Sequence, residues 1–285
     1  MSQAETPQKS RLKTFIILFV LIIAGVILYA RFIGTKGLRI KEYIIESPRL
    51  AANFNGLKIV HFTDLHYGTT VLLPELENLV AEINLLKPHI IIFTGDLIDS
   101  SYAIKEDELE KVITTFNKLA PEITGYIIRG NHDLNKEYEN LITKINLRFL
   151  KNEHELFYYK AEIPLAIVGL DDLSSKDFDS EAAFAGLEET DYYTILLAHE
   201  PDVIDDLQAG GKKIDLFLSG HSHNGQVRLP FVGAVIKNTG AKRYYDERYQ
   251  INETETFISG GIGTTGYPFR LFNRPSFNFY RFAAE

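Results

Sequence analysis

Three apolar residues, Tyr126, Ile127 and Ile128, lead into Gly130-Asn131-His132-Asp133. This reads as a buried strand with polar side chains at its mouth, and such groups need partners when buried. Alone, the tetrapeptide fits a polar turn as well as a binding loop. Four other apolar runs end in the same manner. After Phe62 come Thr63-Asp64-Leu65-His66, and after Phe93 come Thr94-Gly95-Asp96-Leu97-Ile98-Asp99. After Leu197 come Ala198-His199-Glu200, and after Leu218 come Ser219-Gly220-His221-Ser222-His223-Asn224-Gly225. In a mostly parallel sheet the carboxyl ends of the strands share one edge, where ligands bind. The five loops are therefore expected to converge.

Together they offer Asp64, His66, Asp96, Asn131, His199, His221 and His223. Imidazoles and carboxylates are the usual ligands of Mn, Fe and Zn. Asp-x-His and His-x-His spacing lets two side chains of one loop reach a common centre. The set exceeds the needs of one four-coordinate ion and suits two ions sharing a carboxylate, about 3.5–4 Å apart. Of eight histidines, five (His66, His132, His199, His221, His223) fall in these loops. His61, His89 and His154 have no such context and read as a strand residue, a helix–strand turn and a surface loop.

The rest of the chain alternates between patterns of period 3.6 and continuous apolar runs. Strands are expected near 40–45, 57–62, 90–93, 126–128, 157–159, 165–168, 194–197 and 214–218. Helices are expected near 74–86, 107–119, 138–145 and 204–207. After Gln226 only strand-like runs follow, separated by Gly, Asn and Pro. This is one α/β domain with two sheets, without internal repeats.

Ahead of it lies an uninterrupted apolar stretch, Phe15 to Ala30, extended by Phe32 and Ile33 past Arg31. A spanning helix needs roughly 17–25 residues, and Arg31 can snorkel. Ile27-Leu28-Tyr29-Ala30 fits a signal cleavage site poorly. The expected organisation is a basic, disordered tail at 1–14, a transmembrane anchor at 15–33, and a domain at 38–285. Three basic residues precede Phe15, and Arg31, Lys36, Arg39 and Lys41 follow Ala30, which slightly favours the domain on the cytoplasmic side of the cell (inner) membrane. Residues 1–45 carry seven Lys/Arg against Glu5 and Glu42, and the remainder 23 basic against 36 acidic residues, out of a total of -8. So acidic a body lacks the basic face of a nucleic-acid binder. With no cysteine, thiolate sites and cysteine nucleophiles are excluded.

The ordered series Asp64-x-His66, Gly95-Asp96-x-x-Asp99, Gly130-Asn131-His132-Asp133, His199 and Gly220-His221-x-His223 resembles the calcineurin-like metallophosphoesterase superfamily from about Leu38 to the C-terminus. Gly56-Leu57, Gly225-Gln226-Val227-Arg228-Leu229-Pro230 and Gly261-Ile262-Gly263-Thr264 look like a membrane-associated bacterial branch. That branch contains phosphodiesterases and a hydrolase of UDP-2,3-diacylglucosamine, an intermediate of lipid A synthesis. The resemblance implies a four-layer α-β-β-α sandwich of two mixed sheets flanked by helices, and metal-dependent hydrolysis of phosphoric esters or pyrophosphates. It implies one ion on Asp64, His66, Asp96 and His223, and a second on Asp96, Asn131, His199 and His221. Mn²⁺ is the expected metal, and Fe or Zn suit the same ligands. His132 would face the substrate phosphate, as imidazolium stabilising its charge or protonating the leaving group, while Asp99 and Asp133 would orient ligands. The implied substrate is a lipid-linked phosphodiester or pyrophosphate, UDP-2,3-diacylglucosamine first among them. A tethered general phosphodiesterase or phosphoprotein phosphatase is the alternative, and a non-catalytic scaffold ranks last because every ligand is kept. Asn224 replaces a frequent Gly, Glu200 a frequent Asn or Gln, and Ser276 a usual Glu. Tyr267-Pro268-Phe269-Arg270-Leu271-Phe272 is read as an acyl-binding lip with Arg270 on a phosphate, or as an ordinary packed loop. Lys242, Arg243 and Arg274 are weaker phosphate candidates.

Overall fold

The apolar runs form strands because they can bury both faces, and the period of two decides which face each residue serves. The computed structural model of the chain describes residues 7–187 and 189–284, without the side chains of residues 7–10, 136 and 137. In chain order its strands are β1 (Arg39–Glu46), β2 (Lys58–Phe62), β3 (Ile90–Thr94), β4 (Thr124–Ile128), β5 (Arg148–Phe149), β6 (Glu153–Tyr158) and β7 (Pro164–Gly169). They continue with β8 (Tyr193–Leu197), β9 (Leu216–Ser219), β10 (Arg228–Leu229), β11 (Gly233–Ala234), β12 (Arg248–Ile251), β13 (Thr254–Ile258) and β14 (Ser276–Ala283). The helices are α1 (Pro7–Phe32), α2 (Leu73–Leu85), α3 (Glu106–Phe116), α4 (Lys136–Ile142), α5 (Ser180–Phe184) and α6 (Ile204–Ala209).

One sheet has the order β1-β14-β2-β3-β4-β5 and the other β12-β13-β9-β8-β7-β6, with β10 and β11 forming a separate hairpin. Strands β2 to β5 are mutually parallel, as are β7, β8, β9 and β13. Ile90 and Ile92 of β3, Tyr126 and Ile128 of β4, Ile195 and Leu197 of β8, and Leu216 and Leu218 of β9 pack between the sheets. The alternate residues Ile91, Phe93 and Ile127 face α2, α3 and α4. Leu196 and Phe217 face α5 and α6. The layers are thus α-β-β-α, as expected. Each fully buried large apolar side chain contributes about 1.5–3 kcal/mol, so the middle layer is the rigid base on which the strand ends stand.

Several expectations need correction. His154 is not in a surface loop: it lies in β6, with Nδ1 3.0 Å from the Ala183 carbonyl. Residues 7–14 of the expected disordered tail continue α1, and residues 1–6 lie outside the described residues. The C-terminal strand β14 enters the first sheet between β1 and β2, parallel to one and antiparallel to the other.

Helix α1 is the only described helix long and apolar enough to cross a membrane; its stretch Arg11–Phe32 is 22 residues long and almost wholly exposed. At 1.5 Å per residue it is about 33 Å long, close to a bilayer's hydrocarbon thickness. Its last turn is built into the domain. The Arg270 N–H donates to the Ala30 carbonyl at 3.0 Å. A Cβ on Gly34 would lie 1.8 Å from the Arg270 carbonyl oxygen, so only glycine permits this approach.

His61 in β2 is buried, with Nε2 2.9 Å from Thr94 Oγ1. Burial, against the pull of Asp64, lowers its pKa to about 3. Unfolded histidine titrates near 6.5. Between these values the unfolded chain binds a proton that the folded chain refuses, so stability falls as pH drops below about 6.5, at up to about 1.4 kcal/mol per pH unit. Urea unfolding of the solubilised protein between pH 4.5 and 6.5 should therefore give a shallower slope for His61→Gln than for the wild type. Equal slopes would show that His61 takes up its proton in the folded state.

Candidate metal centre

The loops after β2, β3 and β4 of one sheet and after β8 and β9 of the other meet at one edge. Their backbones are cross-tied: Asp64 N–H donates to the Gly95 carbonyl at 2.9 Å, His66 N–H to the Asp96 carbonyl at 3.0 Å, and Gly220 N–H to the His199 carbonyl at 3.1 Å. Among the expected ligands, Asp64, His66, Asp96, His221 and His223 have φ of 50°, 41°, 61°, 62° and 47°. A left-handed non-glycine residue costs on the order of 1–3 kcal/mol and persists where its surroundings over-determine it. Here the cost turns five side chains inward from loops that would otherwise splay. Gly130 contributes by having no side chain: a Cβ there would sit 2.4 Å from Asp96 Oδ1 and 2.7 Å from His199 Nε2, filling the centre.

The expected ligands form two clusters of donor atoms, Asp64 with His66 and His223, and Asp96 with His199 and His221, and a third group, His66 with Asp99 and His132, adjoins them, the atoms of each within 4.8 Å of one another. His66 Nε2 is 3.1 Å from His223 Nε2, and Asp64 Oδ1 is 3.3 Å from His223 Nε2. Asp96 Oδ2 stands between the clusters, 3.4 Å from His66 Nε2 and 3.2 Å from His199 Nε2. The outer nitrogens of these three rings are held. His66 Nδ1 is 3.1 Å from Asp99 Oδ2, His199 Nδ1 2.7 Å from the Thr94 carbonyl, and His221 Nε2 2.7 Å from the Thr239 carbonyl. The Thr94 and Thr239 carbonyls only accept, so His199 Nδ1 and His221 Nε2 each carry a proton and turn the other ring nitrogen toward the centre.

Asp64 Oδ1, Asn131 Oδ1 and His199 Nε2 are buried without hydrogen-bond partners. Each such atom costs about 1–3 kcal/mol, a cost that cation ligation would offset; Asp64 Oδ1 and His199 Nε2 lie 3.9 Å apart. Electrostatics agree. Burial opposes charge on His66 and His199, yet Asp64, Asp99 and Asp96 raise His66 to about 9, and Asp96, Asp64 and Glu200 raise His199 well above the usual imidazole range. That negative field favours cations of any kind. Burial, helped by His66 and Arg270 and opposed by Asp64, lowers His223 to about 4, keeping it in the neutral form that ligates metal. An oxygen and imidazole set without sulfur fits Mn, Fe or Zn.

His132 lies at the mouth, its ring centroid 4.6 Å from that of His66. The Ser100 N–H donates to His132 Nδ1 at 3.0 Å, which places the proton of the neutral ring on Nε2. The Asp133 carboxylate bonds to backbone: it accepts the N–H groups of Gly130 at 2.9 Å, Asp96 at 2.7 Å and Leu97 at 3.0 Å. It thereby pins the β3 loop to the β4 loop. Asn224 has φ 45° and its Nδ2 donates to the Ile258 carbonyl at 3.1 Å. Asn tolerates this left-handed conformation better than most residues, so a glycine there is replaceable.

Arg270 is not at a phosphate site. It is wholly buried. Its Nη2 donates to the carbonyls of Gly260 at 2.8 Å, Gly261 at 3.1 Å and Gly263 at 2.6 Å, and lies 3.3 Å from His223 Nδ1. The guanidinium is consumed by backbone that a substrate cannot displace. It clamps the loop after β13 and fixes the plane of His223, a role that a lone cation among aromatics does not announce. The orienting carbonyl of Thr239 also went unread, its one trace being the turn-forming Asn238-Thr239-Gly240. Arg243 pairs with Asp205 at 2.7 Å. Arg270→Met leaves the buried carbonyls of Gly260, Gly261 and Gly263 without this donor, at about 1–3 kcal/mol each, so it should lower the unfolding free energy by several kcal/mol in denaturant titrations. A loss under about 1 kcal/mol, as for exposed charges, would return the guanidinium to the surface.

A family model described as calcineurin-like phosphoesterase matches residues 57–225, more than half of the chain. An uncharacterized metallophosphoesterase of Bacillus subtilis, YkuE, is 32% identical over 251 residues, 87% of this chain and 86% of its own length. An uncharacterized metallophosphoesterase of Aquifex aeolicus is 30% identical, over 85% of this chain and 90% of its own. A Danio rerio protein named transmembrane protein with metallophosphoesterase domain is 26% identical over 90% of this chain, which spans 60% of that relative's length. The chain belongs to the calcineurin-like phosphoesterase family and is a metal-dependent phosphoester hydrolase.

Proposed function

We propose that the protein is a single-pass membrane phosphoesterase, anchored by residues 15–33, whose domain at 38–285 hydrolyses a lipid-linked phosphodiester or pyrophosphate. One observation carries the lipid part. A cavity of about 320 Å³ opens beside His223, walled by Val227, Val235, Ile236, Tyr267 and Phe269. Its apolar lining suits an acyl chain or other apolar group of a substrate whose phosphate lies on the centre. The anchor reading is supported by the exposed apolar surface of α1 and by its last turn, whose contacts with Arg270 make it part of the fold. Relatives in Danio rerio and Bos taurus carry transmembrane in their names. The count of basic residues favours the cytoplasmic face of the inner membrane.

One ion would be held by Asp64, His66, Asp96 and His223, and the other by Asp96, Asn131, His199 and His221, with Mn²⁺ the metal to supply first. When bound, the two ions activate a water for attack and offset charge on the phosphoryl group. The chain's own residues do the rest. Asp99, Thr94 and Thr239 hold three imidazoles in register. His132 offers its Nε2–H to a phosphoryl or leaving oxygen. It acts as a neutral donor rather than the expected imidazolium, because a proton on Nδ1 would meet the Ser100 N–H. Losing one such donor costs about 10²–10³ in turnover.

UDP-2,3-diacylglucosamine, cleaved to lipid X and UMP, is the substrate to test. Detergent-solubilised protein with Mn²⁺ should release UMP from it, and His132→Ala should lower turnover about a hundredfold or more with metal content unchanged. Loss of metal in step with activity would remove His132 from the catalytic assignment. Cleavage of bis-p-nitrophenyl phosphate without UMP release would leave a tethered general phosphodiesterase.

A further inference from the structure

The hairpin of β10 and β11 exposes apolar side chains that no packing in the domain explains. Leu229 is 43% exposed, Val232 70%, Val235 52% and Ile236 63%, and Phe231 at the tip is exposed completely. Phe231 also adopts φ 64°, a conformation that an aromatic residue enters at a cost. Single exposed apolar residues are ordinary, but here they cluster on one short hairpin. Tyr267 and Phe272, 71% and 68% exposed, belong to the loop that carries it. Patches of this kind mark interaction surfaces.

The contacts say what covers this one. Val227 bridges Leu271. Arg228 N–H donates to the Leu271 carbonyl at 3.0 Å, Leu271 N–H to the Gln226 carbonyl at 3.2 Å, and Arg270 N–H to the Ala30 carbonyl at 3.0 Å. The hairpin base is thus joined through two residues to the last turn of α1, where Phe32 and Ile33 are also exposed. Wherever α1 leaves the bilayer, the hairpin stands beside it. Arg31 at the end of α1 and Lys237 just after the hairpin, whose Nζ lies 3.6 Å from the Tyr245 ring centroid, supply cations at headgroup level.

We propose that the β10–β11 hairpin is a membrane-inserting tip that seats the cavity beside His223 against the bilayer holding α1. This rests on the anchor reading above. Val235 and Ile236 line that cavity while Phe231 and Val232 project from the tip. A lipid would then move from the bilayer to the centre along one apolar wall, without crossing water.

The chain has no cysteine, so a single introduced one can be labelled. Three full-length variants, Phe231→Cys, Leu85→Cys on the exposed face of α2 and Ile22→Cys in mid α1, would carry an environment-sensitive fluorophore. They would be reconstituted in phosphatidylcholine–phosphatidylglycerol vesicles containing nitroxide-labelled lipid. Retained cleavage of bis-p-nitrophenyl phosphate would show that each variant is folded. The label at 231 should be quenched by the lipid about twofold more than that at 85 and be shielded from aqueous iodide. Quenching at 22 with an aqueous signal at 231 would overturn the hairpin proposal and leave the anchor standing. Aqueous signals at both would overturn both. A label at 231 shielded from iodide but untouched by nitroxide lipid would mean that a second copy of the chain covers the hairpin, which also overturns the proposal. Quenching at 231 without cleavage of a lipid substrate would uphold the hairpin and sink only the substrate reading.

Discussion

Asp96 Oδ2 lies 3.4 Å from His66 Nε2 and 3.2 Å from His199 Nε2, and the organisation of the centre depends on this one oxygen. It is the atom that makes two clusters into one site. The residue is held on every side. Its N–H donates to Asp133 at 2.7 Å, its carbonyl accepts the His66 N–H at 3.0 Å, and its Oδ1 accepts the His132 N–H at 2.9 Å. Those bonds come from the loops after β2 and β4, so placing Asp96 also places its neighbours. A carboxylate this buried is costly without a partner, and imidazoles alone answer only part of its charge. The donor set is consistent with a pair of cations sharing it.

The centre inherits its rigidity from the sheets beneath. Alternation along β3, β4, β8 and β9 sends one set of side chains between the sheets and the other under the helices. A slip of one residue would exchange the two sets. That lock holds five loop origins in register, and it is why left-handed backbone at five of the expected ligands can persist.

The same alternation explains what was legible beforehand. Continuous apolar runs ending in Asp, Asn or His marked both the strands and the edge where ligands collect, so the layers and the convergence of loops followed from local pattern. The two readings of Arg270, phosphate contact and packed loop, could not be separated beforehand, because sequence shows a cation among aromatics but not that three carbonyls will enclose it. His154 was misplaced because β6 is an edge strand with a weak apolar pattern. The insertion of β14 between β1 and β2 depends on contacts more than 200 residues apart in sequence, which no local period encodes. The carbonyls of Thr94 and Thr239 were invisible for a different reason, since backbone groups have no residue signature.

A two-ion centre bridged by Asp96 is tested most directly by anomalous diffraction from crystals of the Mn²⁺-loaded protein. Two peaks about 3.5–4 Å apart are expected, with the Asp96 carboxylate between them, His66 and His223 on one and His199 and His221 on the other. A single peak, or two peaks with Asp96 bound to only one, would contradict the bridged centre.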